Sequence, residues 1–244
     1  MSIIQGKHAM KEDIRSPVEA GEAILRERQK PVEPAPDRVM VSVDGVPVEI
    51  SPDSTVLDAI KSVGKSVPSL CYSDRMKPYG ACRTCLVEVV GRKPVASCHT
   101  PVMDGAAYKT SSPLISRLRR NITELIVSDH PLECLDCTAN GRCELQTLAQ
   151  QVGLRTPRYE NPRKHNPPDD DRHPFIKVEM DKCIGCARCV RACDEVQGSF
   201  ILQMQGRGYD TKVIAGNDTG FEEADCVSCG QCVFECPVAA PEEP

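Results

Sequence analysis

Two matching stretches decide the fold of this chain, Cys183-Ile-Gly-Cys-Ala-Arg-Cys-Val-Arg-Ala-Cys193 and Cys226-Val-Ser-Cys-Gly-Gln-Cys-Val-Phe-Glu-Cys-Pro237. Each stretch spaces four cysteines by x2, x2 and x3. The short spacing lets three thiolates face one metal centre from a single turn of chain. The repeat therefore predicts a lobe built around two metal centres. A pair of zinc sites is the less favoured alternative, since zinc does not need matched four-cysteine runs.

The same spacing occurs in bacterial two-cluster ferredoxins, where the fourth cysteine of each run binds the cluster of the other run. This rule assigns one [4Fe–4S] cluster to Cys183, Cys186, Cys189 and Cys236. It assigns a second [4Fe–4S] cluster to Cys226, Cys229, Cys232 and Cys193. Gly185 and Gly230 are expected to relieve crowding where the backbone folds around the clusters.

The chain has fifteen cysteines, and seven remain outside the two runs. Four of these form the group Cys71-x10-Cys82-x2-Cys85-x12-Cys98. Plant-type ferredoxins use x4 before the x2 pair, so the first loop is longer here. The preceding loop, Tyr79-Gly80-Ala81, is expected to lay its N–H groups against sulfides. The group predicts a [2Fe–2S] centre, with a four-cysteine zinc site as the alternative.

The last three cysteines lack a fourth, and His130 supplies it in the group His130-x3-Cys134-x2-Cys137-x5-Cys143. An odd cysteine count usually indicates a spare thiol, and His130 as a ligand explains the count. We expect a third [4Fe–4S] cluster here, with a raised potential because a neutral imidazole replaces a thiolate. The other histidines are expected at the surface or beside ligands. They are His8, His99, His165 and His173.

Composition favours several small lobes over one large core. The chain is 40% hydrophobic, has 4% aromatic residues and no Trp, so metal binding must supply folding free energy. The net charge of −5 becomes more negative with bound clusters, which argues against a nucleic-acid partner. No stretch approaches a membrane span or a secretory signal. We therefore expect no membrane insertion and a cytoplasmic location, where thiols stay reduced.

The pattern outside the ligands predicts an α+β fold. Alternating residues 39–43 and 46–50 about Asp44-Gly45 predict a hairpin, and a helix capped by Ser54 or Asp53 should end at Gly64. Strands 86–90 and 94–96 about Gly91 complete a predicted β-grasp domain. A helix over 114–128 should bury the stripe Leu114, Leu118, Ile122, Leu125 and Ile126.

Five segments follow from this pattern. They are an N-terminal extension and Pro-rich linker at 1–37, the β-grasp [2Fe–2S] domain at 38–112, a helical [4Fe–4S] domain with one histidine and three cysteine ligands at 113–160, a linker at 161–174 and the two-cluster ferredoxin-type domain at 175–244. Residues 155–174 are expected to be irregular because they are rich in Pro, Asp and Arg.

The order of these sites resembles an iron–sulfur region shared by three groups of proteins. They are the large iron–sulfur subunit of respiratory complex I, the small diaphorase subunit of NAD-reducing hydrogenases and the alpha subunit of NAD-dependent formate dehydrogenases. The stretch His130-Pro-Leu-Glu-Cys-Leu-Asp-Cys-Thr-Ala-Asn-Gly-Arg-Cys-Glu-Leu-Gln146 carries this likeness. Residues 189–198, with Gly206-Arg-Gly-Tyr-Asp210, look most like the formate dehydrogenase branch.

The resemblance implies an electron relay between a substrate-oxidising molybdopterin or hydrogenase centre and a flavin/NAD-binding subunit. Neither a Gly-rich dinucleotide fingerprint nor a nucleophile paired with a base is evident, so we predict no catalytic residue. In the formate dehydrogenase branch a molybdopterin domain follows, whereas this chain ends at Pro244. It is therefore either a stand-alone small subunit or a truncated alpha subunit, and Pro241 and Pro244 argue against a terminal strand.

Two further interpretations stay open at this point. One is a free soluble ferredoxin-like carrier, and the other is a zinc-stabilised assembly protein. Basic side chains near the ligands are expected to offset cluster charge if the chain is a relay. They are Arg83, Arg142, Lys182, Arg188 and Arg191.

Overall fold

The computed structural model describes residues 37–159 and 168–243. Apart from Asp37, the predicted extension at 1–37 lies outside the described residues, as do His8 and His165. The strands are β1 Val39–Val43, β2 Val46–Ile50, β3 Leu86–Val89, β4 Val95–Ala96, β5 Ala107–Lys109, β6 Asp170–His173, β7 Ile176–Val178, β8 Leu202–Gln205, β9 Lys212–Ala215 and β10 Pro241–Glu242. The helices are α1 Val56–Ser62, α2 Pro113–Ser128, α3 Glu144–Gln151, α4 Arg188–Arg191 and α5 Gln231–Glu235, with a π-helical segment at Ala192–Gln197.

The first lobe is a five-stranded mixed sheet in the order β2-β1-β5-β3-β4. The predicted hairpin is confirmed, since β1 pairs antiparallel with β2. Asp44 and Gly45 have φ values of +49° and +86°, as a two-residue type I′ turn requires. The sequence pattern missed β5, a three-residue strand that pairs parallel with β1 and antiparallel with β3.

Helix α1 packs on this sheet, but its predicted cap was wrong. Thr55 is the N-cap, and its hydroxyl accepts a hydrogen bond from Asp58 N. The Asp58 carboxylate in turn accepts one from Thr55 N at 2.8 Å, which completes a capping box. Ser54 does not take this role because it belongs to the preceding turn, where its N–H donates to Ser51 O.

Helix α2 begins one residue earlier than predicted, with Ser112 as its N-cap. Its predicted apolar stripe was partly wrong, since Leu114 and Leu125 are exposed. The inward face instead carries Ile115, Val127 and two polar residues, Thr123 and Glu124. Glu124 is tolerated inside because Arg158 donates hydrogen bonds to both carboxylate oxygens.

The C-terminal lobe contains the sheet β10-β7-β6 and the hairpin β8-β9. Two predictions fail here. Strand β6 lies inside the predicted linker at 161–174, and a terminal strand does form, with Pro241 opposite Val178. Pro241 fits because β10 is an edge strand. The neighbouring Ala240 O accepts a hydrogen bond from Glu179 N at 2.8 Å, so this contact needs no N–H donor from the proline.

Candidate metal centres

The first cysteine group lies under the β-grasp sheet. Cys71 and Cys82 come from the loop between α1 and β3, while Cys85 precedes β3 and Cys98 follows β4. The pairing of β3 with β4 brings the last two together, and their Sγ atoms are 3.4 Å apart. Cys82 N donates to Cys71 Sγ at 3.4 Å, so all four thiols meet in one place.

Hydrogen bonds within this cysteine group lower the pKa of two of its thiols. Those from the Cys82 and Cys98 thiols, assisted by the backbone N–H groups of Cys82 and Ala81, lower the pKa of Cys71 to about 2. A hydrogen bond from the Cys98 thiol lowers the pKa of Cys85 to about 6. Two of the four side chains are thus favoured as thiolates, the form that binds metal. The Ala81 N–H group faces a cysteine sulfur, and the predicted contact of the 79–81 loop with cluster sulfides stays a prediction.

The second group lines one cavity of about 300 Å³, which contains His130, Cys134, Cys137 and Cys143. His130 follows the end of α2, and Cys143 caps the start of α3 by accepting from Gln146 N at 3.4 Å. Burial lowers the pKa of His130, so the imidazole is neutral. Its Nδ1 is buried without a hydrogen-bond partner among the described residues. A neutral imidazole with an unpaired nitrogen beside three thiols suits a metal ligand.

The two C-terminal runs form two adjoining cavities. The first is lined by Cys183, Cys186, Cys189, Cys232 and Cys236. The second is lined by Cys193, Cys226, Cys229 and Cys232. The structure thus places Cys236 with the first run and Cys193 with the second, the crossed arrangement that the spacing predicted.

Burial dominates the electrostatics of these two cavities. It raises the pKa of Cys183, Cys186, Cys189 and Cys236, and neighbouring thiols raise it further at Cys186 and Cys189. Burial likewise raises the pKa of Cys232 to about 12. Thiolates in such a place need a metal centre to compensate their charge.

Gly185 and Gly230 are needed for their backbone conformation. A Cβ atom at either position would meet no protein atom within 4 Å, and the predicted relief of crowding around a cluster stays a prediction. Both have positive φ, +62° and +69°, and the glycines are needed for that left-handed backbone.

Among the described residues, no group of three His, Cys, Asp or Glu side chains is already arranged around a single metal-ion position. All sixteen predicted ligands are within the described ranges. All fifteen cysteines are free of disulfides. All fifteen thiols are therefore available as ligands.

One apolar cluster, which we call the central cluster, connects three of the four groups. Its buried members are Leu70, Val127, Leu145, Leu148, Val238 and Ala240. Packed against it are Cys82 of the first group, Cys143 of the second, and Cys183 and Cys236 of the third. The three sets of thiols thus surround a shared region that excludes water.

Three arginines hold the lobes together instead of facing the thiols alone. Arg188 contacts Glu144 at 2.7 Å and Glu235 at 3.2 Å, and Arg75 of the first lobe contacts Glu235 at 3.2 Å. We call these four residues the Arg188 junction.

Arg191 donates to the backbone oxygens of Cys71 and Lys77. The predicted offset of cluster charge is therefore shared with carboxylates, and sequence reasoning missed Glu144 and Glu235.

Both described histidines outside the four groups lie where the sequence predicted, at the surface or beside ligands. His99 is exposed, as expected for a surface residue. His173 is only 6% exposed and contacts Ser228, which lies between Cys226 and Cys229. It therefore belongs to the surroundings of the last cysteine run.

Three family models match consecutive parts of the chain. A 2Fe-2S iron-sulfur cluster binding domain matches residues 36–113, an NADH-ubiquinone oxidoreductase-G iron-sulfur binding region matches 119–158, and a 4Fe-4S dicluster domain matches 182–240. The chain is 38% identical over 206 residues to the NADP-reducing hydrogenase subunit HndD of Solidesulfovibrio fructosivorans. It is also 38% identical to the NADH-quinone oxidoreductase G 2 polypeptide of Rhizobium meliloti and to the NADH-ubiquinone oxidoreductase 75 kDa subunit of Reclinomonas americana. The chain carries the iron–sulfur module of the NADH-quinone oxidoreductase G and NAD-reducing hydrogenase family.

The matches confirm the predicted order of the three iron–sulfur domains in this module. They cover 82% to 83% of this chain but only 35%, 24% and 29% of the three relatives. The chain thus spans a quarter to a third of their length. A solved structure titled "Crystal structure of NAD+-reducing [NiFe]-hydrogenase in the H2-reduced state" contains a similar chain. It superposes with a TM-score of 0.78 at 29% identity and covers 84% of this chain and 87% of its own.

No helix in the described ranges of the module combines the length and the apolar character needed to cross a membrane. The longest helix there, α2, has 16 residues and includes several charged side chains.

Proposed function

We propose that the chain is an electron-transfer iron–sulfur subunit of an NAD(P)-linked oxidoreductase complex. In this proposal it holds one [2Fe–2S] cluster on Cys71, Cys82, Cys85 and Cys98. Three [4Fe–4S] clusters are held by His130, Cys134, Cys137 and Cys143, by Cys183, Cys186, Cys189 and Cys236, and by Cys193, Cys226, Cys229 and Cys232. When bound, such clusters supply one-electron redox chemistry.

The observation that carries the proposal is the central cluster. Ligands from three proposed centres pack against the same buried side chains, including Leu70, Leu145 and Val238. A close-packed apolar region excludes water and keeps the ligands in fixed relative positions. An isolated structural metal site needs neither a shared interior nor neighbouring sites. The arrangement therefore supports a series of centres that exchange electrons through the protein.

The side chains of the module have binding and tuning roles in this proposal. The N–H groups of Ala81 and Cys82 face Cys71 Sγ, and Gly185 N donates to Cys183 Sγ at 3.4 Å. Hydrogen bonds to ligand sulfurs stabilise the additional negative charge of a reduced centre. The crossed pattern of Cys193 and Cys236 ties the two C-terminal runs together, so each run helps to fix the other.

The ligand spacing along the sequence also favours clusters over the zinc-stabilised assembly protein, since zinc sites do not need matched four-cysteine runs. The free carrier is less favoured because relatives of this module are named as subunits of hydrogenase and NADH oxidoreductase complexes. We keep the cytoplasmic location as part of the proposal, because fifteen free thiols require a reducing compartment.

The proposed partners are a flavin/NAD-binding subunit and a substrate-oxidising centre of the molybdopterin or hydrogenase type. The assignment to a formate dehydrogenase complex rests on the likeness of residues 189–198 and 206–210 to that branch. The relatives described above instead name hydrogenases and NADH oxidoreductases, which favours the alternative of a hydrogenase diaphorase or complex I-like subunit. The proposed domains are 38–112, 113–160 and 168–244, the last enlarged from 175–244 because β6 pairs with β7.

The cluster set predicts about fourteen iron atoms per folded chain, because one [2Fe–2S] and three [4Fe–4S] centres contain two and twelve. Iron and acid-labile sulfide analysis of anaerobically purified protein measures this number. A reproducible value near ten would remove one [4Fe–4S] centre. A colourless preparation containing zinc would overturn the proposal.

The module alone should accept electrons from dithionite but should not reduce NAD or oxidise formate or hydrogen. Its proposed centres have four protein ligands each and leave no open position for a substrate. NADH should bleach the visible absorption only after a flavin-bearing partner is added, with a heat-inactivated partner as the control. Bleaching by NADH without any flavoprotein would reveal a nucleotide site and would rule out a pure relay.

A further inference from the structure

The buried His173 has both ring nitrogens engaged. Its Nδ1 accepts a hydrogen bond from Phe175 N at 3.1 Å, and its Nε2 lies 3.1 Å from Ser228 Oγ. Because Nδ1 is an acceptor, Nε2 carries the hydrogen and donates to the Ser228 hydroxyl. Phe175 and Phe221 contact the ring edge-to-face at 6.0 and 6.1 Å between centroids. The imidazole is thus fixed in position and in tautomer.

Ser228 has an unusual backbone for a residue with a side chain. Its φ is +54°, in the left-handed region that L residues other than glycine adopt at a cost. In this conformation its N–H group faces Cys226 Sγ. Ser228 is exposed, so packing against neighbouring side chains does not hold it in this conformation.

The other cysteine run reaches the same geometry in a different way. Gly185 occupies the place equivalent to Ser228, one residue before the second cysteine, with a φ of +62°. Gly185 N donates to Cys183 Sγ at 3.4 Å. The first run therefore presents an N–H group to its first cysteine sulfur with a glycine, which needs no side-chain support. In the second run a serine takes this conformation, and its hydroxyl is bonded to His173.

We propose that His173 is a positioning residue for the cluster site of Cys193, Cys226, Cys229 and Cys232. By fixing the Ser228 hydroxyl, it keeps the Ser228 backbone left-handed and its N–H group on Cys226 Sγ. That hydrogen bond raises the potential of this one centre, because it stabilises the charge added on reduction. The inference rests on the proposed function, which supplies the cluster.

The test compares His173→Leu, Ser228→Ala and Ser228→Gly by redox-titrated electron paramagnetic resonance of the anaerobic holo-protein. Leucine keeps apolar contact with Phe175 and Phe221 but cannot donate to Ser228. His173→Leu and Ser228→Ala should each lower the reduction equilibrium constant of one [4Fe–4S] centre by roughly three- to tenfold. Ser228→Gly should shift it far less, since glycine adopts the required φ freely.

The decisive variant is the double substitution His173→Leu with Ser228→Gly. If His173 acts through the Ser228 backbone, glycine restores the hydrogen bond, and the double variant should behave like Ser228→Gly alone. A packing role would instead leave the His173→Leu shift undiminished in the glycine background. His99→Leu, at an exposed histidine beside Cys98, is the matched control and should leave this centre unchanged.

The two proposals fail differently. Absence of any [4Fe–4S] signal from the wild-type protein would overturn the proposed function and this inference with it. Normal wild-type signals that neither His173→Leu nor Ser228→Ala shifts would overturn only the positioning role. Equal shifts in several centres would do the same, because the hydrogen bond reaches only Cys226. The exposed Ser228→Ala variant keeps the test available if His173→Leu does not fold.

Discussion

Glu235→Ala is expected to destabilise the folded chain by about 3 kcal/mol, because it opens the Arg188 junction. The Glu235 side chain is 1% exposed and accepts from Arg188 and Arg75. Its removal leaves Arg188, 10% exposed, with Glu144 as its remaining carboxylate partner in the junction. A buried charge that loses a partner costs several kcal/mol, a large part of the total stability of a typical domain.

The junction also connects the lobes that hold the proposed centres. Arg75 belongs to the first lobe, Glu144 begins α3, and Arg188 and Glu235 belong to the two C-terminal cysteine runs. Unfolding by urea under anaerobic conditions, followed by circular dichroism and visible absorption, measures the change. We expect the visible absorption to be lost at a lower urea concentration than in the wild type.

Asp74→Ala provides the matched control for Glu235→Ala. Asp74 also accepts from a basic side chain, Lys61, but the two side chains are 75% and 42% exposed. Exposed ion pairs contribute at most about 1 kcal/mol. Equal effects of the two substitutions would show that the junction does not stabilise the chain beyond an ordinary surface pair.

The cysteine groups were predictable from sequence because ligand spacing along a short loop is local chemistry. The crossed placement of Cys193 and Cys236 follows from a general rule for matched runs, and the structure places both as that rule predicts. The β1-β2 hairpin was equally local, since Asp44-Gly45 selects its turn. In each case the residues that decide the structure are close together in sequence.

The failures concern contacts between distant residues. The buried face of α2 could not be read from its own pattern because Glu124 is held by Arg158, 34 residues later. The pairing of Arg75 with Glu235 spans 160 residues and leaves no periodic signal. Pro241 was taken to exclude a terminal strand, as a proline does in the centre of a sheet. The strand forms because β10 lies at the edge of its sheet, and this position cannot be read from the sequence. Thr55-Val-Leu-Asp58 could have been recognised as a capping box with Asp in place of Glu.

His130→Ala should remove one complete [4Fe–4S] centre, which is about four of the fourteen expected iron atoms. The imidazole lies in the cavity of Cys134, Cys137 and Cys143, and its buried Nδ1 has no hydrogen-bond partner in the described structure. Alanine leaves three thiols without a fourth donor, because no cysteine is left over elsewhere in the chain. Iron and sulfide analysis and electron paramagnetic resonance measure the loss, and His99→Ala is the control.

His130→Cys tests the same assignment in the opposite direction. Cysteine can replace the missing ligand, so the centre should be retained with a full complement of iron. Its potential should fall, because a thiolate brings a negative charge where the neutral imidazole brings none. A fall in potential is expected because burial lowers the pKa of His130 and keeps the imidazole that the thiolate replaces uncharged. If His130→Ala instead kept all its iron and every paramagnetic signal, His130 would not be a ligand, and the fifteenth cysteine would need another explanation.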